Sequence, residues 1–235
     1  MPISRRDLIS VMSSSTFFLT AGPLLASNSR PGPPVIPVAF PQGVASGDPQ
    51  PDAVMLWTRA EPVGTAEGPV SLLLQVSTND TFSDLVLESV VKAGPESDYT
   101  LRAYVNGLAP DQWYYYRFLG GDNSTSITGR TRTAPARDQE RPVNLAFASC
   151  QSYEQAHYGA WARMIADDLE ASDEDAVQFV LHLGDFIYER CWHKRIDGTE
   201  QARKVPPFPD GANAEENRWA VSLADYRHLY KTYLA

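Results

Sequence analysis

Short apolar runs recur at close intervals through residues 36–136, and Gly, Pro, Asp or Asn fills most of the gaps between them. Within residues 100–105 apolar and polar side chains alternate, which is the pattern of a strand with one buried face. We predict strands at 35–40, 54–59, 71–77, 85–91, 100–105, 113–119 and 127–132. About seven such strands in roughly 100 residues are typical of a β-sandwich of the immunoglobulin or fibronectin type III kind.

The pattern changes after residue 142. Residues 143–148 form an apolar run, and one face of a helix is then indicated by Tyr158, Trp161, Ala162, Ile165 and Leu169. Residues 177–183 are a continuous run rich in Val and Leu, which is typical of a strand buried on both faces of a sheet. A strand, a helix and a strand in this order predict a βαβ unit with parallel pairing.

The last part of the chain predicts a loop followed by a helix. Residues 189–216 are polar and contain several Pro and Gly residues, so we expect a long surface loop with little regular structure. The basic pair Lys194 and Arg195 in this loop is a candidate phosphate contact. From Trp219 onward the pattern is helical. Its expected apolar edge consists of Leu223, Tyr226, Tyr230 and Tyr233, and its expected water-facing side includes Asp225, Arg227 and Lys231.

Composition and charge restrict the classes of partner. The chain has 235 residues, a net charge of -9 and a pI of about 4.9. Surfaces that bind nucleic acids cluster Lys and Arg against phosphates, so this charge argues against sequence-specific nucleic-acid binding. The charged, Pro-containing segment 136–142 marks a domain boundary. It separates a β-sandwich domain at 36–136 from a second domain at 143–235.

The N-terminus has the pattern of an export signal. Arg5 and Arg6 form a twin-arginine motif, and the mildly apolar segment that follows is too short and too polar for a membrane-spanning helix. We expect a signal peptide at residues 1–26, cleavage near Ala26, a linker at 27–35 and no transmembrane segment in the mature chain. The expected partner is the twin-arginine export machinery, and the expected location is the periplasm or the extracellular space.

Side chains with metal-binding chemistry follow the two predicted parallel strands. Cys150 comes just after the first strand, and Asp185 comes just after the second, where Gly184 would permit a turn with positive φ. Parallel strands end at one edge of a sheet, where ligands bind, so we expect both side chains to lie close together. A thiolate with the phenolate of Tyr188 suits ferric iron better than Ca²⁺ or Mg²⁺, whereas Asp suits either class and could bridge two metals.

Each of these residues also has a purely structural interpretation. Cys150 could be a buried thiol that packs as a small hydrophobe, or it could form a disulfide with Cys191. Asp185 could cap the following turn, and Tyr188 could fill the core with its hydroxyl group on the backbone. His182 lies within the second strand, where a satisfied core position or a position next to the metal ligands is favoured over a role as a ligand.

Five segments resemble motifs of the PhoD-like family of alkaline phosphatases and phosphodiesterases: FPQGVASGDP at 40–49, VMLWTR at 54–59, GRTRTAP at 129–135, FASCQ at 147–151 and HLGDFIYE at 182–189. The first three resemble the family's N-terminal β-domain. The last two resemble the first metal-binding segments of its catalytic domain, an α/β sandwich of metallophosphatase type. The resemblance implies an exported hydrolase of phosphate esters in which Cys150, Asp185 and Tyr188 bind Fe³⁺ and Asp185 also helps to hold Ca²⁺.

The family pattern continues with further carboxylate, Asn and His ligands, including an Asp-Asp-His-Glu-like segment, and these do not occur before Ala235. We therefore expect an incomplete catalytic domain at 143–235, in the N-terminal part of a PhoD-like protein, and a chain that is inactive or nearly so by itself. Ca²⁺ alone takes about 6–8 oxygen ligands. The alternative is a non-enzymatic, exported, fibronectin-like binding module with a vestigial α/β tail.

Overall fold

A computed structural model describes residues 16–20, 36–64, 68–121, 123–192, 194–213 and 218–235. The chain divides into two compact units, Met1–Arg141 and Pro142–Ala235. Among the described residues, no helix is both long and apolar enough to span a membrane.

The described part of the first unit is almost entirely β-structure. It contains β1 (Thr16–Thr20), β2 (Val38–Ala39), β3 (Val44–Gln50), β4 (Ala53–Arg59), β5 (Glu61–Pro62), β6 (Val70–Ser77), β7 (Leu85–Ala93), β8 (Thr100–Asn106), β9 (Trp113–Gly120) and β10 (Gly129–Arg132), with a 3₁₀ turn at Pro95–Ser97. Within these ranges the larger sheets have the strand orders β1-β8-β4-β3 and β10-β9-β6-β7. The small pair β2 and β5 is antiparallel.

Both larger sheets contribute their inner faces to one apolar core. Strand β8 alternates as predicted, since Leu101, Ala103 and Val105 are buried while their neighbours are partly exposed. From the other sheet, Leu72 and Leu74 of β6 enter the same core. The mostly β character of residues 36–136 is thereby confirmed, and two layers around one core fit the predicted sandwich. Its assignment to the fibronectin or immunoglobulin type stays a prediction.

Strand β3 was not predicted from the sequence. Apart from Val44, all of its residues are exposed, so no burial pattern marks it. It pairs with β4 at the edge of its sheet, and the register shifts between Gly47 and Gln50. A bulged edge strand needs hydrogen bonds on one side only, and Pro49 is tolerated there for that reason.

The predicted export signal at 1–26 lies mostly outside the described residues, as does the predicted linker at 27–35. The five described residues of the signal form β1, which pairs in parallel with β8 from Thr16 beside Arg102 to Thr20 beside Asn106. Cleavage and export stay predictions.

The second unit contains a strand, a helix and a parallel strand in the predicted order. Its described elements are β11 (Leu145–Ala148), α1 (Gly159–Glu170), β12 (Phe179–His182), β13 (Arg190–Cys191), β14 (Ala212–Asn213), β15 (Arg218–Trp219) and α2 (Leu223–Leu234). Strands β11 and β12 pair in parallel from Leu145 beside Phe179 to Ala148 beside His182. Their carboxyl ends therefore lie at the same edge of the sheet.

The prediction that residues 177–183 are buried on both faces is wrong for this structure. Phe179, Val180 and Leu181 are 38%, 40% and 45% exposed, and Phe147 of the neighbouring strand is 72% exposed. Helix α1 buries none of its residues. In the described part of this unit β11 and β12 form a sheet of two strands, so neither strand has neighbours on both sides to shield its apolar side chains.

The prediction of a surface loop at 189–216 is wrong in part. Strands β13 and β14 of this segment flank β15 in a small antiparallel sheet. Val205 and Phe208, from the Pro-rich stretch, are buried against Leu229 and Tyr233 of α2 in a second apolar core. The polar and Pro-rich composition concealed these two anchor residues.

Helix α2 is rotated relative to the predicted face. It begins at Leu223, after the cap residue Ser222, and its buried residues are Asp225, Leu229 and Tyr233. Leu223 is 67% exposed. The carboxylate of Asp225 turns inward because it accepts hydrogen bonds from the backbone N–H groups of Asp210, Gly211, Val221 and Ser222. Asp225 therefore orients the helix and ties the preceding segment to it.

Candidate metal centre

Cys150 and Asp185 lie directly after β11 and β12, at the carboxyl edge of the parallel sheet. The backbone ladder continues past the strand ends, since Leu183 N donates to Ala148 O at 2.8 Å and Gln151 N donates to Asp185 O at 3.1 Å. These two bonds hold the loops that carry Cys150 and Asp185 side by side. The predicted convergence of the two strand ends is therefore present in the fold.

Tyr188 joins the thiol and the carboxylate. Its hydroxyl group donates to Asp185 Oδ2 at 3.1 Å and is also hydrogen-bonded with the Cys150 thiol. Desolvation, these hydrogen bonds and the negative charges of the neighbouring Asp185 and Cys150 raise the pKa of the Tyr188 phenol to about 12. The neighbouring thiol and carboxylate thus oppose ionisation of the Tyr188 phenol, and a cation beside the phenol would remove that penalty.

The backbone at Asp185 has an unusual conformation. Its φ is 34°, in the left-handed region that non-glycine residues seldom adopt. The predicted positive φ at Gly184 is wrong, because the turn places it one residue later. A conformation of this kind persists where the surrounding structure holds the backbone in place.

The structural interpretations of Cys150 are wrong here. Both cysteines are free thiols, and Cys150 is exposed whereas Cys191 is buried in the second apolar core. Burial and the nearby Glu154 raise the pKa of the Cys191 thiol to about 12. Cys150 is thus the accessible thiol of the described structure, as a metal ligand at this edge requires.

Gln151 is a site residue that the sequence analysis missed. Its side-chain Nε2 donates to Phe186 O at 3.1 Å, and its Oε1 accepts from Trp161 Nε1 at 3.0 Å. The residue thereby links the loop after β11 to the loop after β12 and to α1. Its position next to Cys150 in the FASCQ segment was the available signal, but spacing alone does not show what an amide contacts.

His182 is held by aromatic rings beside the site. Its imidazole stacks on Trp161 at 6.2 Å and meets the edge of Phe186 at 5.1 Å between ring centroids. Its Nε2 is buried and has no hydrogen-bond partner within the described residues. His182 is half-buried and belongs to neither apolar core, and within the described ranges its Nε2 lacks the partner that a satisfied core position would provide.

The donor set fits ferric iron better than Ca²⁺. Cys150, Asp185 and Tyr188 offer a thiolate, a carboxylate and a phenolate, and soft or phenolic donors favour transition metals. Ca²⁺ takes about 6–8 oxygen ligands, and Asp185 supplies only a carboxylate toward that number. No group of three or more His, Cys, Asp or Glu side chains with metal-binding geometry occurs in the described parts of the chain.

Comparison with known proteins assigns the chain to a family. The protein-family model described as "PhoD-like phosphatase, N-terminal domain" matches residues 26–135, and the family model described as "PhoD-like phosphatase" matches residues 145–235. The chain belongs to the PhoD-like phosphatase family, which confirms the resemblance seen in its motifs.

Two relatives show how much of such a protein this chain covers. Alkaline phosphatase D of Bacillus subtilis (strain 168) is 34% identical over 200 residues, which cover 83% of this chain and 31% of that protein. A solved structure described as "Structure of PhoD" superimposes with a TM-score of 0.69 and 31% identity over 87% of this chain and 36% of that one. The chain therefore spans about a third of the length of these relatives.

Proposed function

We propose that this chain belongs to a metal-dependent hydrolase of phosphate esters, and that its residues Cys150, Asp185 and Tyr188 bind ferric iron. The observation that carries this proposal is the convergence of a thiol, a carboxylate and a phenol at the carboxyl edge of β11 and β12. Membership of the PhoD-like family and the similarity to an alkaline phosphatase D support a phosphate ester as the substrate. Residues 143–235 would then begin an α/β domain of the metallophosphatase type.

Ferric iron and Ca²⁺, when bound, would supply Lewis-acid stabilisation of a phosphoryl group. The residues of the chain would hold and orient these ions. Cys150 and Tyr188 would lose their protons on binding iron, and Asp185 would contact both ions from its fixed backbone position. Gln151 would hold the loops after β11 and β12 in their positions relative to each other. Asp185 and Cys150 are exposed, so a substrate could reach the site.

Turnover by the chain alone should be weak. The described residues contribute about three donors, whereas a pair of adjacent cations needs many more. We therefore expect iron binding to be the clearer property and hydrolysis of p-nitrophenyl phosphate with Fe³⁺ and Ca²⁺ to be slow or undetectable. Turnover comparable to that of an intact alkaline phosphatase would contradict this expectation.

The decisive experiment measures iron binding directly. Addition of Fe³⁺ to the purified chain should give a visible absorption band from thiolate or phenolate charge transfer, with bound iron quantified by metal analysis. Tyr188→Phe and Cys150→Ala should each weaken or shift the band. Tyr226→Phe, which removes a hydroxyl group from an exposed tyrosine of the same unit, should leave it unchanged. A colourless, iron-free protein would favour the non-enzymatic binding module.

Export by the twin-arginine route is a separate part of the proposal. It rests on Arg5 and Arg6 near the N-terminus and predicts a periplasmic or extracellular location. Replacing both arginines by lysine should keep the charge and abolish export, as measured by cell fractionation. Unchanged export of that double variant would contradict the twin-arginine assignment.

A further inference from the structure

The second unit contains a cavity whose lining includes none of the three proposed iron ligands. It is an open cavity at the surface with a volume of about 860 Å³, and its lining residues, all exposed except Gln201, are Gln155, Trp192, Lys194, Arg195, Ile196, Asp197 and Gln201. Pockets for small ligands usually have volumes of about 300–1,000 Å³. The cavity is therefore large enough for a small organic ligand.

The charge of this cavity favours an anion. Lys194 and Arg195 contribute two positive charges and Asp197 one negative charge, in a chain whose net charge is -9. Asp197 Oδ1 accepts from the Thr199 N–H at 3.0 Å and from the Thr199 hydroxyl at 2.7 Å, and the carboxylate also interacts electrostatically with Arg195, so these three side chains together leave a net charge of +1. A positive cavity on an acidic protein concentrates anionic ligands at that place.

Lys194 and Arg195 lie on a turn whose backbone is held by hydrogen bonds. Arg195 N donates to Thr199 O at 2.7 Å, and Gly198 N donates to Arg195 O at 2.9 Å. Gly198 provides the positive φ of 81° that closes the turn. Lys194 and Glu200 form a β-bridge at its base. The backbone of Arg195 is thus held in place before any ligand arrives, which lowers the entropic cost of binding.

Trp192 supplies a fixed aromatic surface to the same cavity. Its backbone N–H donates to the buried Glu154 at 2.6 Å. The guanidinium group of Arg190 lies 3.6 Å from the Trp192 ring centroid and 4.6 Å from that of Trp219. The Trp192 side chain is nevertheless 47% exposed. A ring that is held in place but left half in water is suited to stacking on a flat ligand.

We infer that this cavity binds phosphate esters of flat aromatic alcohols, such as nucleoside or aryl phosphates. The ring of the ligand stacks on Trp192, and its phosphate group pairs with Arg195 and Lys194. The choice of phosphate among anions rests on the proposed function. The preference for an aromatic group rests on Trp192 and is independent of it.

Binding is tested on the full chain by titration calorimetry in EDTA, with 5′-AMP, adenosine and inorganic phosphate as probes. EDTA removes metal ions, so binding is measured without turnover. We expect 5′-AMP to bind at least about ten-fold more tightly than either partial probe, because only 5′-AMP engages both the ring and the basic pair. Equal affinity for 5′-AMP and inorganic phosphate would overturn the inference.

Variants separate the two contacts. Trp192→Ala should weaken 5′-AMP binding about five-fold or more, whereas Trp192→Phe should stay within about three-fold of the unmodified chain. Arg195→Ala should weaken it about ten-fold. The control Arg163→Ala removes the same charge from a side chain of the same unit that is 78% exposed, and it should change nothing. If Arg163→Ala and Arg195→Ala weakened 5′-AMP binding equally, the effect would come from the net charge of the protein alone, and the proposed site would be refuted.

Failure of this inference is distinguishable from failure of the proposed function. If 5′-AMP binds in EDTA with the expected dependence on Trp192 and Arg195 but the chain binds no iron, the cavity stands and the hydrolase proposal falls. If iron binds through Tyr188 and 5′-AMP does not bind, the cavity assignment alone is refuted.

Discussion

The side chain of Gln151 should hold the candidate metal centre together, and Gln151→Ala tests this. The substitution keeps the backbone hydrogen bond from residue 151 to Asp185 O but removes both side-chain bonds. It therefore isolates the amide that links the loops after β11 and β12 to Trp161. The Phe186 carbonyl and the Trp161 indole N–H would each lose a partner at 3.1 Å and 3.0 Å.

The expected cost follows from these two contacts. A typical hydrogen bond contributes about 0.5–1.5 kcal/mol net, so the free energy of unfolding of the second unit should fall by about 1–3 kcal/mol. Both contacts are partly exposed, and water can replace the amide, which favours the lower half of that range. With a urea dependence of about 1–3 kcal/mol per molar, the unfolding midpoint should fall by roughly 1 M.

Iron binding should suffer as well. Residues that orient metal ligands typically change metal affinity by about 10–100-fold, and Gln151→Ala should weaken Fe³⁺ binding by about that factor. Urea unfolding is followed by tryptophan fluorescence, and iron binding by visible absorption. Gln155→Ala, an exposed glutamine in the same loop, is the matched control and should alter neither quantity. A lower midpoint with unchanged iron affinity would refute the positioning role of Gln151, and an unchanged midpoint would refute the structural argument itself.

Three further outcomes are expected. Leu74→Ala should destabilise the first unit by about 2–5 kcal/mol in urea unfolding, whereas Val90→Ala, at a 64% exposed position, should cost little. Burial disfavours the charged form of Asp225, but hydrogen bonds from four backbone N–H groups outweigh the effect of burial, so the pKa of the Asp225 carboxyl group is lowered. Its contribution to stability is therefore present above its ordinary pKa of 3.8 and lost as the pH falls below it, and Asp225→Asn should abolish that acid dependence of the midpoint. Thiol titration should find Cys150 reactive in the folded chain and Cys191 reactive only after unfolding, and simultaneous reaction would contradict this.

Local patterns predicted the buried face of β8 and the order of the elements in the second unit, but they predicted the wrong buried face for α2. The alternation within β8 and the βαβ order of the second unit were both readable, because side-chain period and strand order follow from backbone geometry alone. Strand β3 escaped detection, since an exposed edge strand has no apolar face to reveal it. The buried anchors Val205 and Phe208 were hidden by the polar residues and prolines around them.

For the candidate site, the residues after the strands were determined by the sequence, and their partners were decided by the fold. Cys150 and Asp185 could be placed at one sheet edge because parallel strands end together. The roles of Gln151 and Asp225 could not be foreseen. Each acts through hydrogen bonds to backbone groups that are distant in the chain or supplied by a turn, and such contacts exist only after the tertiary structure has brought them within about 3 Å.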